Sequence, residues 1–247
     1  MTEWPHLPNA PIREAVLDIQ NDLPSTVSLR HLETIQRRLA DRYPKRRPRK
    51  RLEGKLDLKS GEFRTAPAKV DGYVFLSDDE RHMVQVRLDG FTVNKLKPYA
   101  RWESLRDEAR TLWEDYVSVA RPEVVRRIAL RYINRLELPL PIPDFKEYVR
   151  TAPDIAPGIP QAISGFFLRL EIPHPNGVLA LVTEAIEPVE RRVSGDIVPF
   201  ILDIDVIRQE TLSPEAPDLW EKFEELRDVK NEIFFRTITP KTEALFQ

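Results

Sequence analysis

The chain has 247 residues, 41% of them hydrophobic and 9% aromatic, enough to bury a sizeable core, so wholesale disorder is excluded. It contains no cysteine, which excludes a disulfide framework, a thiolate nucleophile and any cysteine-ligated zinc or iron–sulfur centre. The net charge of −2 conceals an asymmetry: residues 30–55 hold eleven Lys or Arg against three Asp or Glu, whereas 209–232 hold eight acids against three bases.

The opening MTEWPHLPNAPIREAV has neither the basic leader nor the apolar stretch of a secretory signal, and no apolar run approaches the roughly 18 residues of a membrane span. The expectation is a soluble, cytoplasmic protein with no membrane partner and no cofactor.

Prolines (22) outnumber glycines (8) and mark the element boundaries. PIREAVLDIQ alternates and predicts a strand. LRHLETIQRRLADRYP predicts an amphipathic helix with Leu32, Ile35 and Leu39 on one face, ended by Pro44. GYVFLS and HMVQVRLDGFTVNKLKP predict strands, with a bulge or bend at Gly90. ARWESLRDEARTLWEDYVSVARP predicts the strongest helix, with Trp102, Leu105, Ala109, Leu112, Trp113, Tyr116 and Ala120 sharing one face. The order then recurs. VVRRIALRYINRLELP is a strand, PDFKEYVRTAP a short helix capped by Asp144, and ISGFFLRLEIP with GVLALVTEAIEP a hairpin around HPNG. PFILDIDVIRQ is a further strand, and SPEAPDLWEKFEELRDVKNEIFFRTIT is the closing helix.

The expected fold class is therefore α+β: two strand–helix–strands–helix units, 1–122 and 123–247, forming one continuous antiparallel sheet with helices on one face. That order resembles the saddle of the TATA-binding-protein-like fold; a helix-grip cavity is the alternative. Alternation sorts the sheet faces. Val84, Val86 and Leu88 oppose Gln85, Arg87 and Asp89, while Ile128, Leu130 and Tyr132 oppose Arg131 and Arg135. Phe166, Leu168 and Leu170 oppose Arg169 and Glu171, and Phe200, Leu202 and Ile204 oppose Asp203 and Asp205. The face away from the helices is thus charged and rich in arginine.

The run Lys45, Arg46, Arg47, Arg49, Lys50 and Arg51 suits a phosphate backbone or another polyanion, with Arg87, Arg131, Arg135 and Arg169 extending it across the sheet. Its competing role is a strand edge, where basic side chains block edge-to-edge pairing. Asp203 and Asp205 lie two apart on a strand and share a face, which makes them the candidate metal pair, with Glu184 or Glu171 expected to approach from neighbouring strands. Alternatively they pair with the arginines. The four histidines (His6, His31, His82, His174) lack ligand spacing, and no P-loop, G-x-G-x-x-G or G-x-S-x-G occurs.

On a helical wheel Lys230 falls in the middle of the apolar arc formed by Leu219, Phe223, Leu226, Ile233 and Phe234. It either snorkels to solvent or is a desolvated amine with a depressed pKa. With Pro11, Ile12, Glu14 and Ala15 at one end and Leu226, Arg227, Lys230, Asn231, Phe234, Ile238 and Thr239 at the other, the chain resembles a sporadically distributed bacterial and archaeal family of similar length. Its marks are a Pro-Ile-x-Glu-Ala strand and a Lys-Asn-x-x-Phe helix. The resemblance implies an accessory or defence-associated module with no established activity.

The leading expectation is a non-enzymatic accessory protein that docks a macromolecular partner, a protein or a nucleic acid, through its charged sheet face or basic segment. Nucleic-acid binding through 45–51 is the first alternative. An enzyme or small-ligand binder near Lys230 and the Asp203/Asp205 pair is the second.

Overall fold

Alternation and helical period become strands and helices largely where the sequence predicts them. The structure, a computed structural model, describes residues 4–51, 54–56, 63–65 and 68–247. Strand β1 (Ile12–Asp22) is followed by short helices α1 (Leu29–Glu33) and α2 (Gln36–Leu39), then β2 (Lys45–Arg51). A small pair, β3 (Gly54–Leu56) and β4 (Phe63–Thr65), precedes β5 (Lys69–Leu76), β6 (His82–Arg87), β7 (Gly90–Leu96) and the long helix α3 (Trp102–Ala120). The remainder is β8 (Val124–Pro139), β9 (Phe167–Pro173), β10 (Val178–Ile186), β11 (Ile197–Leu212), α4 (Leu219–Thr237) and α5 (Pro240–Glu243).

The class is α+β. Nine strands form one antiparallel sheet in the order β2-β5-β6-β7-β1-β8-β11-β10-β9. The long strands β1, β8 and β11 occupy its middle. Outward from the β1–β8 pair the order is β7, β6, β5, β2 on one side and β11, β10, β9 on the other. Helix α1 packs on β5, β6 and α3, α3 on β7, and α4 on β8 and β11. One sheet face supplies the apolar layer beneath them, including Leu17, Val84, Phe91, Leu130, Phe200, Leu202 and Ile204. All seven residues predicted for the buried face of α3 are buried. Among the described residues no helix is long and apolar enough to cross a membrane.

Three local departures have physical causes. The helix predicted over 29–43 breaks in two, although Leu32, Ile35 and Leu39 are all buried. The β-branched pair Thr34-Ile35 marks the break, and Thr34 Oγ1 donates to the His31 carbonyl at 2.7 Å in place of helical continuation. The helix predicted after Asp144 shrinks to a single 3-10 turn, Phe145–Glu147. Its following backbone is taken instead by the end of α4, with Arg150 N donating to Thr237 O at 2.7 Å and Thr239 N to Tyr148 O at 3.0 Å. Finally, the single strand expected through Gly90 turns back at Leu88–Asp89 and becomes the β6–β7 hairpin. A Cβ on Gly90 would lie 2.5 Å from the Ile19 carbonyl oxygen, so glycine permits the close approach of β1.

Candidate functional site

Two concave regions lie on opposite faces of the sheet. The first is a cavity of about 260 Å³ between the sheet, the start of α3, the end of α4 and the N-terminal segment. The second is a trough of about 490 Å³ on the open face.

The cavity forms because a β-bulge interrupts β1. Pairing with β8 shifts between Ile12 and Glu14, so Ile12 no longer shares the face of Glu14. Pro11 and Ile12 therefore line the helix-side cavity, whereas Glu14 faces the trough and accepts from Asn94 Nδ2 at 2.7 Å. From the other end of the chain, α4 presents Arg227, Lys230, Asn231 and Phe234 to the same cavity. Residues from the two ends of the chain, Pro11 and Ile12 on one side and Arg227, Lys230, Asn231 and Phe234 on the other, thus line one cavity. The segment before β1 closes the outer wall: Leu7 is buried, and Trp4 stacks on Phe235 with ring centroids 5.6 Å apart.

Lys230 does not snorkel. It is only 9% exposed, its Nζ donates to Asn231 Oδ1 at 2.5 Å, and it stands 3.9 Å from the centroid of the Tyr132 ring. Among the described residues no carboxylate comes within ion-pair distance. Burial, reinforced by the nearby Arg227 charge, lowers its pKa from the ordinary lysine value to about 7. Beside it the Tyr99 and Tyr132 hydroxyls share a hydrogen bond of 2.7 Å, and burial pushes both phenols upward. Arg101, Trp102 and Glu103 line the wall at the start of α3, and the Trp102 indole N–H donates to Glu224 at 2.8 Å. The lining is therefore aromatic with a cationic bias.

The trough has a different character. Its arginines are largely spoken for by internal partners. Arg87 donates to Asp18 at 3.0 Å and to Asp89 at 3.1 Å, and also contacts the Thr92 hydroxyl; Asp18 in turn accepts from Arg127 at 3.1 Å. Arg131 makes a two-pronged contact with Asp203, at 2.8 and 2.5 Å. Arg135 stands apart in a cage of Glu137, Glu187 and Glu190 and lines no part of the trough. Arg169, expected on the same surface, sits exposed on the outer strand β9 beside Glu171.

The basic run occupies the edge strand β2, where Pro48 is tolerated because an edge strand can spare a donor. Five of its six cations have carboxylate partners: Lys45 and Arg47 on Glu80, Arg46 on Glu33, Arg49 on Asp71 and Arg51 on Asp89. Among the described residues Lys50 alone has none.

Asp203 and Asp205 share the open face as the alternation implies. The expected approach of Glu184 is corrected, because β10 pairs Thr183 with Asp203 and turns Glu184 toward the helices. Asp203 is committed to Arg131, and burial raises the pKa of Asp205 against the opposing pull of Arg127 and Arg131. Among the described residues no group of three His, Asp or Glu could hold a metal ion. Sequence reasoning missed Arg127, Tyr99, Tyr132 and Trp4, whose roles arise from contacts distant along the chain. Comparison with protein-family models finds no match to this chain, and comparison with curated proteins finds none either.

Proposed function

We propose that the protein is a small-ligand binding protein whose site is the Lys230 cavity, and that the ligand is a small carboxylate with a short apolar stem. The carrying observation is a buried ammonium-forming side chain with no carboxylate within ion-pair distance among the described residues, facing a cavity with aromatic walls. Protein interiors do not keep an unpaired cation without compensation. An incoming carboxylate would supply the missing charge, with Arg101 and Arg227 in reach of its second oxygen and Trp102, Phe234 and Phe235 around its stem. Drug-sized ligands occupy roughly 300 Å³ or more, so a cavity of about 260 Å³ suits a ligand of few heavy atoms. Within this reading the chain is two related α+β halves, 1–122 and 123–247, joined at β1–β8. A cavity beneath a long helix is the feature shared with the helix-grip alternative.

Thermal unfolding with a panel of short carboxylates, their neutral amides and simple amines tests the reading. Carboxylates should raise the melting temperature of the wild-type chain and leave Lys230→Met unmoved. Equal stabilisation by the amides, or none by any carboxylate, would remove it.

A second reading concerns the open face. The trough displays both signs of charge around Arg49, Arg51, Asp89 and Arg131, a surface complementary to a protein rather than to a polyanion. It supports an accessory module, of the defence-associated kind, that docks a protein partner there. Co-purification with the products of neighbouring genes, abolished by Arg131→Glu, is the test; retention by that variant argues against it.

A further inference from the structure

The carboxylate reading uses Lys230 only as a charge, yet the surroundings also suit its amine for covalent chemistry. We propose that Lys230 condenses reversibly with the carbonyl of a small 2-oxo acid whose carboxylate is held by Arg227, a step that rests on the carboxylate reading above.

Three features carry this. First, Nζ is held in place by Asn231 Oδ1 and the Tyr132 ring, and neither contact is a carboxylate that would keep it protonated. An amine so desolvated is neutral in a substantial fraction near neutral pH, and only the neutral amine has the lone pair that attacks a carbonyl. Second, Arg227, whose one carboxylate contact among the described residues is a long one of 3.6 Å to Glu224, lies one helical turn before Lys230 on the same wall of the cavity, so a carboxylate on the guanidinium brings the adjacent carbonyl carbon toward Nζ. Third, the Tyr99–Tyr132 hydroxyl pair borders the site, and burial keeps both phenols protonated at neutral pH. Protonated, they can donate a hydrogen bond to the carbonyl or carbinolamine oxygen.

The step balances without redox change. The neutral lysine nitrogen adds to the carbonyl carbon and gives up one proton, and the oxygen takes up that proton to give a carbinolamine. Loss of that hydroxyl with one proton, as water, leaves the C=N bond. Amine and carbonyl give imine and water, and hydrolysis reverses it. No oxidant or cofactor enters.

The full-length chain is incubated with pyruvate, reduced with sodium cyanoborohydride and mapped by peptide mass spectrometry, while pyruvate and lactate binding are measured by calorimetry. Lactate keeps the carboxylate and lacks the carbonyl. The expected result is one reduced adduct at Lys230, suppressed by excess lactate, and absent from Lys230→Met and from Lys230→Arg. The arginine variant keeps the cation, so it should retain lactate binding and thereby report a folded site. Lactate and pyruvate binding without a Lys230 adduct would overturn the imine and leave the carboxylate reading intact. Adducts spread evenly over surface lysines would overturn it as well, and absence of binding by either acid would remove both.

Discussion

Lys230 Nζ lies 3.9 Å from the centre of the Tyr132 ring, and that ring and Asn231 are its partners among the described residues. A desolvated cation–π contact contributes about 2 kcal/mol, less than the several kcal/mol that withdrawal of a lone charge from water costs. The cavity is therefore bought with stability.

Replacing Lys230 with Met should accordingly raise the stability of the ligand-free protein. The gain has a pH dependence of known sign. The folded-state pKa of about 7 lies below the ordinary 10.5, so the unfolded chain binds more protons between those values. Wild-type stability carries the full penalty below about pH 7 and recovers it as pH rises toward 10.5. Urea unfolding of both proteins should show a gap that narrows across this window. A gap that is constant with pH, or a less stable Met variant, would show that the ammonium is paired.

Glu184 presents the opposite sign. It is 1% exposed, neither carboxyl oxygen has a hydrogen-bond partner among the described residues, and burial raises its pKa from 4.5 to about 7. The folded state holds the proton more tightly, so its contribution is fully present below 4.5 and is lost as pH rises through about 7. Glu184→Leu should stabilise the protein near about pH 8 by roughly 3 kcal/mol and have little effect in acid. Equal unfolding midpoints for the two proteins at the higher pH would refute this.

Asp18 holds two guanidinium groups together beneath the open face, Arg87 at 3.0 Å and Arg127 at 3.1 Å. Arg87 is nearly buried, so Asp18→Ala leaves a cation without its chief counter-charge. Such a loss costs about 3–5 kcal/mol. Chemical denaturation of Asp18→Ala checks it, and Arg131→Ala, which breaks a more exposed pair, should cost no more than about 1 kcal/mol.

Binding to DNA or RNA should be weak, with a shallow salt dependence. A run of six free cations would give a steep slope through counterion release, but Glu33, Asp71, Glu80 and Asp89 already stand against Lys45 to Arg51. Filter binding across a salt series decides the matter, and a steep slope lost in a variant of 45–51 would restore the nucleic-acid reading.

Patterns with a short period were readable from the chain alone. The α3 face, the alternation of β6, β8 and β11, and the HPNG hairpin all follow from spacing within one element. The isolated position of Lys230 in an apolar arc was visible too, but the arc alone left snorkelling and burial open. What spacing cannot carry is pairing between distant segments. The bulge after Ile12 is defined by register with β8, the short turn at 145–147 by capture of its backbone at the end of α4, and the neutralisation of β2 by acids on α1, β5 and two turns. Glu184 shows the same limit, since only strand register decides which face a polar residue takes.

The most direct test follows the ionisation of one amine. In a lysine-labelled sample the side-chain NMR resonance of Lys230, assigned by its loss in Lys230→Met, should titrate near the value of about 7 set by its burial. Saturating acetate should move that midpoint upward, because a bound carboxylate favours the charged form. A resonance that titrates like an ordinary surface lysine, or one that acetate leaves unmoved, would contradict the account.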